Sequence, residues 1–228
     1  MPRQGYRFLK NGAYMSIREY LKKAITQHGR KRTILRTLVL VLPLSGLWFV
    51  ANGGYIHAKA TLAQYLLEAA WSESVLGQKE VKPWPWADTW PVARLEVPGL
   101  GINRIVLAGA NGSSLAFGPG RLLNPGGASD ASNTMIAGHR DTHFEFLRHL
   151  RRGDVLELHL LDGRRDSYVV QETVITDRED NSHLSFNGEK RLTLITCYPF
   201  DAIRPGGPLR YLVLAHPRPG SNQQGLRI

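Results

Sequence analysis

Between Thr37 and Ile56 the chain carries no charged side chain: TLVLVLPLSGLWFVANGGYI. A run of about 20 uncharged residues, wound as a helix, is long enough to cross a hydrocarbon core ~30 Å thick. Pro43 and the glycines are tolerated in such a helix. Trp48 and Tyr55 fall toward its far end, where amphipathic rings prefer the interface. The run therefore divides the chain into a short leading arm and a long following part.

The charge follows the same division. The chain has a net charge of +10, which by itself suggests a nucleic-acid partner. Residues 1–36 hold ten Lys or Arg against the single acid Glu19, whereas the rest holds 19 basic and 18 acidic residues. The basicity is thus an N-terminal arm and not a property of the domain, and nucleic-acid binding is not expected. Cations before the span and few just after it predict a cytoplasmic N-terminus and an exported C-terminal bulk. Ala58-Lys59-Ala60 also fits a small-x-small cleavage site, so a removed signal peptide stands as the alternative to an uncleaved anchor. Both readings export the domain.

The expected organisation is a basic cytoplasmic arm over 1–36, a membrane anchor over 37–56, a stalk and linker over 57–91, a catalytic domain over 92–217 and a polar tail over 218–228. Residues 6–28 have weak helical character. Residues 58–76 read as a helix with Leu62, Tyr65, Leu66, Ala69 and Ala70 on one face and Gly77 as its stop. The stretch KPWPWADTWP (82–91) is a linker whose tryptophans pack on the domain or meet the membrane interface. From Val92 onward short apolar runs alternate with turn residues. Strands are expected at 93–97, 102–107, 133–138, 155–161, 167–176, 193–197 and 210–216, with a short helix at 144–150. Asp162-Gly163 is a hairpin signal. About eight short strands with few helices indicate an all-β barrel or sandwich.

One cysteine occurs in 228 residues. Cys197 closes the buried-strand run Leu192-Thr193-Leu194-Ile195-Thr196-Cys197, and Pro199 ends the strand. In an exported, disulfide-permissive compartment a single thiol has no disulfide partner within the chain. Taken alone it is a small core residue. Two other strand ends change that reading. His139 closes the strand Thr134–Gly138 and opens the polar run Arg140-Asp141-Thr142-His143. A histidine near a thiol serves as general acid or base. Arg210 opens the last strand. If that strand is antiparallel to the one ending in Cys197, thiol and guanidinium meet, and the cation can stabilise an oxyanion. His143 and Arg204 are the competitors. His139, Asp141, His143 and Cys197 match no compact zinc spacing, so no metal is expected.

These residues together resemble the sortase family. Thr193-Leu194-Ile195-Thr196-Cys197 is similar to its TLxTC run, with a His before it and an Arg opening the next strand. The segments Ala137–Thr142 and Thr196–Asp201 look most like class D sortases and the related Gram-negative branch. The resemblance covers roughly 92–217. It implies a closed eight-stranded β-barrel behind an N-terminal transmembrane helix, with His139, Cys197 and Arg210 as catalytic residues. It implies a transpeptidase that cleaves an LPxTG-like C-terminal sorting signal of exported proteins through a thioacyl enzyme and passes the acyl group to an amine acceptor. No cofactor is implied. Free Cys and His titrate near 8.5 and 6.5, so His139 is expected to protonate the leaving amine while Arg210 holds the oxyanion. Thr196 is expected to position substrate or oxyanion. No acidic cluster reproduces the calcium site of some class A members, and the loop 177–191 shows no readable preference. The alternatives are another exported thiol enzyme, such as an L,D-transpeptidase or cysteine peptidase, and a non-enzymatic anchored β-domain.

Overall fold

The computed structural model describes residues 7–10, 13–122, 133–180, 182, 190–204 and 206–219. The chain divides into two compact units, Met1–Lys59 and Ala60–Ile228. Most of the loop 177–191 and nearly all of the expected tail lie outside the described residues.

In the first unit, strands β1 (Arg7–Lys10) and β2 (Ala13–Ser16) form an antiparallel hairpin, and helix α1 (Ile17–Val75) begins directly after it. This corrects the helical reading of 6–28: its first part is extended. The helix starts where it does because Ser16 and Glu19 form a reciprocal cap. The Glu19 N–H donates to Ser16 Oγ, and the Ser16 N–H donates to a Glu19 carboxylate oxygen, both at 3.3 Å. The segment Leu35–Val75 contains a window long and apolar enough to cross a membrane, with Pro43 inside the helix.

In the second unit, the C-terminal turns of α1 bury Ala63, Leu67, Ala70, Trp71 and Ser74, a 3–4 residue periodicity. Of the expected face only Ala70 is fully buried and Leu66 half-buried, whereas Leu62 and Tyr65 are 57% and 70% exposed. Leu67 and Trp71 instead pack with Ile105 and Leu107, and Arg94 stacks on Trp71 while pairing with Glu68. Burying a leucine such as Leu67 stabilises the unit by about 1.5–3 kcal/mol. In the linker, Trp84 packs edge-on against Phe117 and the Thr89 hydroxyl donates to the Ala108 carbonyl at 2.8 Å, while Trp86 stays exposed.

Eight strands close into a barrel: β3 (Pro91–Val97), β4 (Ile102–Ala108), β5 (Gly120–Leu122), β6 (Asn133–Ala137), β7 (Val155–Leu160), β8 (Arg165–Asp177), β9 (Arg191–Cys197) and β10 (Leu209–Pro217). Their order around the barrel is β10-β8-β7-β3-β4-β5-β6-β9. Helix α2 (Gly112–Leu115) and 3₁₀ turns at Pro98–Leu100 and Glu145–His149 complete the described elements of the domain. The β7–β8 hairpin turns at Asp162-Gly163 with Gly163 at φ +80°, as the dipeptide predicts. Alternation fills the interior: Leu95 and Val97, Leu156 and Leu158, Leu192 and Leu194, Val213 and Ala215 all point into one core.

The sequence reading located seven of these strands and missed β5. It is three residues long and begins with Gly120, where an added Cβ would lie 2.1 Å from the Gly109 carbonyl oxygen. Only glycine permits that approach. The short strand pairs parallel with β4 and antiparallel with β6, and so closes the barrel.

Candidate active site

Three strand ends converge at one end of the barrel. Strands β9 and β10 are antiparallel, and their register sets Cys197 directly opposite Arg210. Inward residues alternate as Leu192 and Leu194 on β9 and as Val213 and Ala215 on β10. Cys197 and Arg210 have the opposite parity, so both side chains lie on the outer face of the barrel. Cys197 is half-buried. The Arg210 guanidinium donates from Nη1 to the carbonyls of Gly207 and Leu209 at 2.7 and 2.9 Å, which fixes its position over the strand end.

Strands β6 and β9 are parallel, with Ala137 opposite Ile195. The Gly138 N–H continues this ladder to the Ile195 carbonyl at 3.1 Å. One further step brings His139 level with Cys197. His139 is exposed, and its carbonyl accepts from the Phe144 N–H at 2.9 Å, closing the following loop back on the strand end. Gly138 is required here for a steric reason: a Cβ would sit 2.7 Å from the fully buried Phe144 ring.

Thr196 does not open toward a ligand. It is 3% exposed, and its hydroxyl donates to the Gly138 carbonyl at 2.7 Å. The residue before the thiol thus holds the residue before the histidine. Beyond Cys197, Tyr198 stacks on Tyr211, and Phe200 meets Tyr211 edge-on with ring centres 5.1 Å apart, capping the core at this end. The Tyr198–Pro199 peptide is cis.

The two competitors have other surroundings. Burial holds the His143 imidazole below its usual pKa, opposed by a hydrogen bond to the Ala116 backbone and reinforced by the Arg104 charge. Its ring is engaged with the α2 region. Arg204 is exposed, and its carbonyl accepts from Arg140 at 3.2 Å. Arg140 is the residue that sequence reasoning passed over. It is buried and donates to three carbonyls of the 198–208 loop. Its partners are backbone atoms about sixty positions away, and no side-chain pattern announces them.

Among the described residues, the one group with metal-ligand geometry is Glu96, Glu157 and His159. It lies on the outer face of β3 and β7, away from Cys197. His159 Nε2 is 3.4 and 3.7 Å from the two carboxylates. A cavity of about 560 Å³ lined by Leu158, Asp166, Tyr168 and Lys190 opens where β9 begins, the barrel end opposite Cys197. Its Lys190 and Asp166 pair at 2.8 Å.

The sortase domain model matches residues 95–218, more than half of the chain and nearly the whole barrel. This chain belongs to the sortase family. It is 32% identical over 120 residues to Sortase D of Bacillus subtilis, covering 52% of this chain and 60% of that protein. The match thus spans about three-fifths of that relative's length. Among solved structures, sortase C-1 of Actinomyces oris aligns with a TM-score of 0.50 at 26% identity, over 57% of this chain and 73% of its own. A sortase D5 transpeptidase of Clostridium perfringens aligns with a TM-score of 0.52 at 22% identity, over 69% of this chain and 99% of its own, a likeness of fold. Sortases are cysteine transpeptidases, and Cys197 is the only cysteine this sortase has.

Proposed function

We propose that this sortase is a membrane-anchored transpeptidase that cleaves an LPxTG-like sorting signal near the C-terminus of exported proteins and joins the acyl fragment to an amine. The pairing of Cys197 with Arg210 across β9 and β10, with His139 level with the thiol just beyond the β6–β9 ladder, supports this reading best. Helix α1 carries the anchor over 37–56, the basic arm stays cytoplasmic, and the barrel over 92–217 works outside the membrane.

The Cys197 thiol passes its proton to His139, and the resulting thiolate attacks the carbonyl carbon of the signal's threonine. The oxygen gains negative charge, which Arg210 stabilises through donors other than the Nη1 hydrogens committed to Gly207 and Leu209. The carbon–nitrogen bond then breaks, and His139 gives its proton to the departing amine. A thioester remains on Cys197. The acceptor amine attacks it, a new amide bond forms, the carbon–sulfur bond breaks, and the amine's proton passes to His139. Thr196 contributes by holding β6 against β9. No step needs a cofactor.

The test is transfer. The full chain in detergent is incubated with an LPxTG peptide and an oligoglycine amine, and the ligated product is followed by mass spectrometry. Wild type forms product, whereas Cys197→Ala and His139→Ala do not. Hydrolysis of an unrelated peptide without any ligation would favour another thiol enzyme instead.

A further inference from the structure

The loop between β9 and β10 carries Cys197 at one end and Arg210 at the other. Arg140, the residue after His139, reaches across to this loop. Its Nη1 donates to the Pro199 carbonyl at 2.7 Å, and its Nη2 donates to the carbonyls of Ala202 and Arg204 at 2.5 and 3.2 Å. The residue is only 7% exposed, and it makes no ion pair among the described residues. Burying a guanidinium without a carboxylate is costly unless its donors are satisfied. Here a planar fork of donors is met by three carbonyls of one loop, a geometry that an ammonium does not reproduce.

The position of this contact is informative. On one side of the His139–Cys197 level, the Thr196 hydroxyl ties residue 196 to residue 138. On the other side, Arg140 ties residue 140 to residue 199. The two bonds bracket the histidine and the thiol. A third tie comes from the same segment: Arg148 stacks over the Phe200 ring at 5.0 Å.

We infer that Arg140 is a positioning residue of the transpeptidation reaction, which locks the His139 turn to the loop joining Cys197 and Arg210 and so fixes the imidazole relative to the thiol. The inference rests on the roles proposed above for His139 and Cys197. Arg140 touches neither substrate nor reacting atom. Losing it releases the His139 turn, and displacement of about 1 Å at a reacting group costs on the order of 100-fold in rate.

The experiment uses the full chain in detergent, with Arg140→Gln, Arg140→Lys, His139→Ala and the double variant Arg140→Gln/His139→Ala. Two readouts are taken: iodoacetamide alkylation of Cys197 across pH, which needs no substrate, and kcat and KM on an LPxTG peptide. Arg140→Gln should lower kcat at least about tenfold with KM nearly unchanged. Its alkylation profile should move onto that of His139→Ala, and in the His139→Ala background it should change nothing further. Arg140→Lys should recover part of the rate. If Arg140→Gln does not fold, Arg140→Lys is judged by the same criteria. A wild-type profile and kcat in the folded Arg140 variant overturn the inference. So does a shift of the alkylation profile of equal size in the His139→Ala background. If the wild type cleaves no sorting-signal peptide, the proposed substrate fails while the alkylation comparison still decides Arg140. Identical profiles for wild type and His139→Ala overturn both.

Discussion

Replacing Thr196 by valine tests whether that residue holds the site together. Valine keeps the shape and the buried methyl and puts a second methyl where the hydroxyl stood. The lost bond is the 2.7 Å contact to the Gly138 carbonyl, in a residue 3% exposed. A buried acceptor left without this donor costs about 1–3 kcal/mol. For a domain of this size each kcal/mol moves Tm by about 2–4 °C, so Tm should fall by about 2–12 °C. Catalysis should fall as well, because Gly138 precedes His139. Serine is the counterpart: it keeps the hydroxyl and loses a methyl worth about 0.8 kcal/mol. Thr196→Ser should lose some stability yet keep most of its rate. The assay is thermal unfolding by near-UV circular dichroism, paired with peptide cleavage by the same samples. A direct substrate contact would lower cleavage and leave Tm where it was. A Thr196→Val protein with wild-type Tm, or a serine variant as inactive as the valine one, refutes the reasoning.

Other perturbations probe the same region. Gly138→Ala forces a Cβ to within 2.7 Å of the Phe144 ring; overpacking of this kind should cost about 1–3 kcal/mol, seen as a lower urea midpoint, with cleavage reduced further than unfolding explains. Arg210→Lys keeps the charge but not the fork anchored on Gly207 and Leu209, so kcat should drop by on the order of 100-fold while thermal unfolding moves little. Burial lowers the His143 pKa in the folded chain, so below pH ~6.5 the unfolded chain binds more protons. Stability should therefore decline as pH falls from about 7 through the folded pKa, and His143→Gln should flatten that decline in denaturation measured at several pH values.

The three strand ends that meet at Cys197 were readable because each lies where an apolar run gives way to polar residues: Ile195–Cys197, Ile136–His139 and Arg210–Leu212. Alternation then fixed which side chains share a face, including Arg210 with Leu212 and Leu214. Strand β5 was hidden because three residues carry no periodicity, and tertiary closure alone makes them a strand. The face of α1 over 60–75 was read in part, through Ala70, because apolar residues surround that stretch; contact with Ile105 and Leu107 selects Leu67 and Trp71. At the N-terminus, Ser16–Glu19 is a capping pair that starts the helix. That signal stood in the sequence beneath a weaker helical pattern. Arg140 was illegible for a different reason: backbone carbonyls of a distant loop leave no mark on composition or spacing.

The proposed chemistry turns on a covalent bond to one sulfur atom. Intact-mass spectrometry of the full chain, mixed with an LPxTG peptide and no amine, measures it directly. The wild type should gain the mass of the acyl fragment ending in threonine, mapped to Cys197 by digestion and discharged when an amine is added. Cys197→Ala should gain nothing. An unmodified wild-type chain under conditions where the peptide is cleaved, or an adduct that survives in Cys197→Ala, contradicts the account.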